Sequence, residues 1–208
     1  MRVLALVLVC GGLGALAADP PARTFSGRLG EMGGLRSSHA VLAEGPPGEA
    51  RRSLLEVWTL GSDQILVRTL SPPNQVGNAL LFARGRAWSY NHAYRLTARL
   101  PRTATPPPAA TLILQVAAAA AAPDRFAAVA TGAEDLGGAL HHRIELRPLS
   151  SAGPTGRLEV LVRASDGALV RARSLEPDGT VAAAADYVQL ELNPPLDEHQ
   201  FWLGRLRL

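Results

Sequence analysis

The sequence predicts a mainly β protein built on one long antiparallel sheet, and two patterns carry that prediction. The first is alternation with period two. Tyr94, Leu96, Ala98 and Leu100 alternate with Arg95, Thr97 and Arg99; Leu140, His142, Ile144 and Leu146 alternate with His141, Arg143, Glu145 and Arg147; Leu158, Val160 and Val162 alternate with Arg157, Glu159 and Arg163. In a strand such residues point to opposite faces, so each strand has one apolar and one wetted side. The second pattern is punctuation. Ser165-Asp166-Gly167 and Pro177-Asp178-Gly179 carry the Asp-Gly pair that tolerates the positive φ of tight hairpin turns. A long sheet with one apolar face and few helices has to curl to hide that face.

The N-terminus reads as a targeting segment. Arg2 is a short basic region, Val3 to Leu16 is apolar, and Ala15-Leu16-Ala17 is a small-x-small cleavage site. The run is shorter than the ~20 residues a membrane span needs, and Asp19-Pro20-Pro21 ends it. Residues 1–17 are therefore expected to be a signal peptide, and 18–208 one domain with a sizeable core. Cys10 follows Val9 rather than a small residue, which argues against lipid attachment; once it leaves with the signal, the mature chain has no cysteine for a disulfide, a nucleophile or a metal.

The elements follow in order. Phe25, Leu29 and Met32 fall at helical spacing and predict a short amphipathic helix, weakened by Gly27, Gly30, Gly33 and Gly34. Ser38 to Ala43 reads as the first strand and Gly45-Pro46-Pro47-Gly48 as a turn. Thr103 to Leu136 breaks the β pattern. Pro106-Pro107-Pro108 is stiff, Thr111 to Ala122 is alanine-rich and helix-prone with Leu112 and Val116 on one face, and Phe126 with Val129 suggests a second short helix beyond Pro123. A meander is expected from Arg157 to about Asn193, where Pro194-Pro195 ends it because proline cannot donate to the ladder. His199 to Leu203 reads as a last strand.

The stretch from Arg52 to Leu100 is the most informative. Leu55-Glu56-Val57-Trp58 is followed by Gly61 to Arg68, then by Ser71-Pro72-Pro73-Asn74-Gln75-Val76-Gly77 leading into Asn78-Ala79-Leu80-Leu81, then by Arg86-Ala87-Trp88-Ser89-Tyr90. This order resembles the outer-membrane lipoprotein-sorting proteins, the LolA-like periplasmic carriers, which have a strand with a central Trp, a Ser-Pro and Gly connection into an apolar strand, and a Trp-x-Tyr strand. The resemblance implies a strongly curved antiparallel sheet forming a half-open β-barrel, with short helices over its mouth as a lid. It implies a periplasmic carrier that binds the acyl chains of lipoproteins, or other lipids, in an apolar cavity and delivers them toward the outer membrane, as a monomer. An inner-membrane transporter and an outer-membrane acceptor would be its partners. The residues placed to line such a cavity are Trp58, Leu80, Phe82, Trp88, Tyr90 and Leu96. The short first helix departs from the family. The alternative within the same fold is a periplasmic sensor of the RseB type, which binds lipid or a protein partner and carries a second C-terminal domain.

Other chemistries find little support. All 21 basic residues are arginine, the formal charge is +3, and no basic block of the nucleic-acid-binding kind occurs. Adjacent His141 and His142 point to opposite faces of a strand; His39, His92 and His199 show no metal-ligand spacing. There is no Gly-x-Ser-x-Gly elbow, phosphate loop or His-Glu-x-x-His. Glu134-Asp135 reads as a solvated loop. The expectation is thus a binding protein with no cofactor, no metal and no catalytic residue. Mass spectrometry of the secreted protein should find a chain beginning near Ala18 without lipid; a diacylglyceryl group on Cys10 would instead make it a membrane-tethered protein.

Overall fold

The structure, a computed structural model, describes residues 31–44, 52–149 and 157–204. Eleven strands form one antiparallel sheet: β1 (Ser37–Glu44), β2 (Ser53–Leu60), β3 (Gln64–Ser71), β4 (Ala79–Ala83), β5 (Arg86–Asn91), β6 (Leu96–Arg99), β7 (Phe126–Leu136), β8 (Ala139–Pro148), β9 (Arg157–Arg163), β10 (Leu169–Leu175) and β11 (Val181–Leu192). Their order is β6-β5-β4-β3-β2-β1-β11-β10-β9-β8-β7, so two meanders are joined where β1 pairs with β11, and the sheet stays open between the edges β6 and β7. The expected signal segment, Cys10, Phe25, Leu29 and the Gly45–Gly48 turn lie outside the described residues.

The register defines two faces. Ala40, Val57, Val67, Leu80 and Ser89 are matched across β1 to β5 and share the inner face. His39, Trp58, Leu66, Leu81 and Trp88 form the next row, on the outer face. The chain must travel from edge β6 to edge β7, and the helix Pro108–Ala120 lies on that path. Pro108 stands at its first position, where a missing N–H costs nothing. Leu112 and Val116 are each 0 % exposed, and with Ile113 they join Leu42, Leu55, Val57, Ile144, Leu146 and Val160 in one core. The helix packs on β10 and β11 in particular. It therefore lies over the inner face where a lid was expected, but its apolar stripe makes it a part of the core. Residues 31–33 are helical and put Met32 into the same core; a Cβ on Gly33 would sit 3.2 Å from the carbonyl oxygen of Ala120, so a larger residue there would push on the helix end.

Three expected elements differ. Phe126 and Val129 belong to strand β7, because pairing with β8 supplies hydrogen bonds that outweigh the helix preference of an alanine-rich stretch. Glu134-Asp135 is in the same strand rather than in a solvated loop; Glu134 pairs with Arg143 at 2.8 Å and Arg171 at 3.5 Å. His199 to Leu203 is not a strand: Glu198–Phe201 is a 3-10 turn, started by the Asp197 carboxylate accepting from the His199 N–H at 2.9 Å. The two Asp-Gly hairpins form as expected, with Gly167 and Gly179 at φ 70° and 89°.

The outer face of the second meander carries a continuous ion-pair network. Arg52 and Arg171 both hold Asp186, Arg171 reaches Glu134, Arg143 bridges Glu134 and Glu159, and Arg173 completes the row on Glu159 at 3.2 Å. Burial alone would raise the Asp186 pKa; hydrogen bonds from Arg171 and Arg52 outweigh it and hold the carboxyl below its ordinary value. A depressed carboxyl contributes stability above its unfolded pKa and loses it as pH falls through the folded one. Asp186→Asn should therefore lower stability by about 2 kcal/mol at neutral pH, measured by urea unfolding, and the gap should close in acid. A gap that persists below the carboxylate range would mean a packing effect instead.

Candidate functional site

The helix packs on β10 and β11 in particular, and part of the inner face of the first meander, around Leu80 and Ser89, borders an open space. That space is a cavity of about 370 Å³, within the range of small-molecule sites. Leu55, Val67 and Leu80 line it from neighbouring strands, Pro107 borders it at the entry to the helix, and Thr69, Gln75, Asn78, Ser89 and Asn91 give it a neutral polar rim. The strands place these groups by parity: Val67 is matched with Leu80, and Leu80 with Ser89. The connection Pro72–Asn78 forms part of the rim. A Cβ on Gly77, at φ 82°, would lie 2.7 Å from the His92 ring, so the expectation of positive φ or close approach holds on both counts. Asn78 accepts from the His92 N–H at 2.9 Å and Asn91 from the Tyr94 N–H at 3.1 Å, which ties the two rim loops in place.

Glu44 closes the wall. It ends β1 on the inner face, opposite Ser53. Burial raises its pKa, and a hydrogen bond from the Ala109 N–H partly counters this. Ala109 is in the first turn of the helix, so the carboxylate meets one of the amides that no intrahelical carbonyl can satisfy. A second space of about 420 Å³, lined in part by Met32, Leu169, Tyr187 and Leu190, also borders the inner-face core. The Tyr187 hydroxyl is buried there with no hydrogen-bond partner among the described residues, and burial pushes its pKa up.

The six residues expected to line one cavity are divided. Leu80 lines the inner cavity. Phe82 is on the inner face but is sealed into the core beside Ile65 and Ala87. Trp58, Trp88 and Tyr90 belong to the outer face, in a separate cluster with Leu66, Leu81 and Phe201, although Tyr90 also touches the cavity's edge. Trp58 stacks on His39 at 4.9 Å and lies 5.3 Å from the Arg68 guanidinium carbon. Trp88 borders an outer groove of about 630 Å³ with Arg84, Arg86 and Trp202. Leu96 is 64 % exposed on β6, which among the described strands pairs with β5 alone. The missed lining residues are Leu55, Val67 and Glu44. Leu55 and Val67 alternate with Glu56 and Arg68, a period-two signal that could have found them; nothing in the sequence marks Glu44. His141 and His142 do point apart, and His141 is buried with its Nδ1–H donating to the Ala139 carbonyl at 2.7 Å. No metal-binding group of three appears among the described residues.

No protein-family model matches this chain, and no curated protein matches it. Solved structures do. A DUF1329 family protein from Desulfovibrio piger is 16% identical over 90% of this chain and 99% of its own, with a TM-score of 0.47. An outer-membrane lipoprotein-sorting protein domain from Vibrio parahaemolyticus is 12% identical over 89% and 98%, with a TM-score of 0.45. The MucA/MucB complex structure from Pseudomonas aeruginosa matches at 14% identity over 88% of this chain and 60% of that one, with a TM-score of 0.42.

The raised pKa of Glu44 has a consequence for stability. Such a group favours the folded state below its unfolded pKa and loses that contribution as pH rises through the folded value. Glu44→Gln keeps an acceptor for Ala109 and removes the charge. It should be more stable than the parent at neutral pH in urea unfolding, with the advantage fading as pH falls through the glutamate range. A variant less stable at every pH would show that the carboxylate's bond to the helix outweighs its burial.

Proposed function

We propose that this chain is a periplasmic carrier that shelters the acyl chains of a lipoprotein, or of another lipid, between the helix Pro108–Ala120 and the inner face of β2 to β5, and carries them toward the outer membrane. One observation supports it above the rest: on an open sheet, Leu55, Val67 and Leu80 front a cavity with a polar rim that Pro107 borders at the entry to the helix. Each methylene removed from water is worth ~0.8 kcal/mol, so even a partly enclosed chain is held by several kcal/mol. An unclosed sheet allows such a guest to leave sideways, because no ring of hydrogen bonds has to break. The rival reading, a regulatory module that binds a protein partner, draws its support from the outer groove, where Trp202 is 55 % exposed beside Arg84 and Arg86.

A fluorescent monoacylglycerol separates the two. It should bind the purified protein; Leu80→Glu, which puts a carboxylate on a half-buried lining position, should weaken binding tenfold or more; Trp202→Ala, in the outer groove, should leave it unchanged. The reverse ordering would move the site to the outer groove and overturn the carrier reading. Native mass spectrometry of the protein from its own cell envelope should then show a bound acyl species rather than a bound protein.

A further inference from the structure

We infer that the inner cavity selects its guest by charge, accepting an amphiphile whose polar end is uncharged or an amine and rejecting one that ends in a carboxylate or phosphate. This rests on the carrier reading above and names the ligand class within it. The chain carries 21 arginines and a formal charge of +3, yet no arginine is among the described residues lining this cavity; the one charged side chain there is Glu44. An anionic head group brought to the rim would meet a like charge in a partly desolvated place, where repulsion is least screened.

The helix N-terminus does not offset this. Its amides would ordinarily favour an anion, but the Ala109 N–H already donates to Glu44, so the carboxylate occupies the place an incoming anion would take. The rest of the rim is neutral. Thr69, Gln75, Asn78 and Asn91 carry hydroxyl and amide groups that suit the esters, amides and hydroxyls of an acylated or glycerol-linked head. An ammonium would gain more, since Glu44 would be its counter-charge.

The test uses the full chain at about pH 7.5, where an alkylamine is cationic and a fatty acid anionic. Dodecylamine, monolaurin and laurate share one chain length and are compared by displacement of the fluorescent monoacylglycerol. Dodecylamine and monolaurin should each compete at least tenfold better than laurate. Glu44→Gln should bring the three to within about threefold of one another. Ser89→Arg, a cation added to the same lining, should turn the order toward laurate and keeps the inference testable if Glu44→Gln folds poorly. Laurate competing as well as monolaurin against the parent protein overturns the charge selection while leaving the cavity as the binding site. A large laurate deficit that survives Glu44→Gln also overturns it, because the selection would then come from another group. If none of the three displaces the probe, or Leu80→Glu binds like the parent, the carrier reading falls and this inference falls with it.

Discussion

Everything in this fold turns on a crossing. β6 and β7 are consecutive strands in the chain but lie at opposite edges of the sheet, so the segment between them has to span the inner face. A buried connection cannot be irregular, because its backbone amides and carbonyls would be left unpaired. A helix satisfies them internally, and Leu112, Ile113 and Val116 give it an apolar stripe that the curled sheet needs covered. The small buried residues on either side of them, Ala109, Ala110, Ala117 and Ala119, let the helix sit close against the strands. One helix is too narrow to cover eleven strands. It packs on β10 and β11 in particular, and the cavity lies where the inner face of the first meander is less fully covered, around Leu80 and Ser89.

The two meanders have different outer faces, and the difference follows from composition. In the second, arginines and carboxylates alternate with core residues, and they cross-link β7 to β11 and on to Arg52 through shared partners. Partly buried arginines of this sort cover the sheet with their methylene stems while their guanidinium groups stay paired. Leu161, on the same outer row, is buried beneath them. The first meander instead has apolar groups on both sides. Its outer row, Trp58, Leu66, Leu81 and Trp88, is covered by Leu196 and Phe201 from the C-terminal segment, which the Asp197 cap folds into a 3-10 turn. That segment thus completes a second small core and leaves a groove at its border.

The periodicity that makes the sheet legible also explains where the site was misjudged. Ile65-Leu66-Val67 and Ala79-Leu80-Leu81-Phe82-Ala83 are apolar without interruption, because both of their faces are covered. Alternation can then say that Leu80 and Phe82 share a side, and that Trp88 and Tyr90 share one, but not that the two sides are opposite. That is decided by the register Leu81 to Trp88 and Leu80 to Ser89.

By itself the sequence determined the β class, the strands from β1 to β6 and β8 to β11, the two Asp-Gly hairpins and the alanine-rich helix, because each is written in short-range patterns: period two, positive-φ turn residues and helix propensity. The tertiary structure alone decided three things. It made Phe126 to Leu136 a strand, through pairing with β8. It put Trp58 and Trp88 on the outer face and Leu55, Val67 and Leu80 on the inner one. And it brought Glu44 to the first turn of a helix more than sixty residues away in the chain, making it the charge of the cavity wall. No local pattern encodes a contact of that range; it exists because the segment that joins the edges β6 and β7 passes the end of β1, where its helix begins.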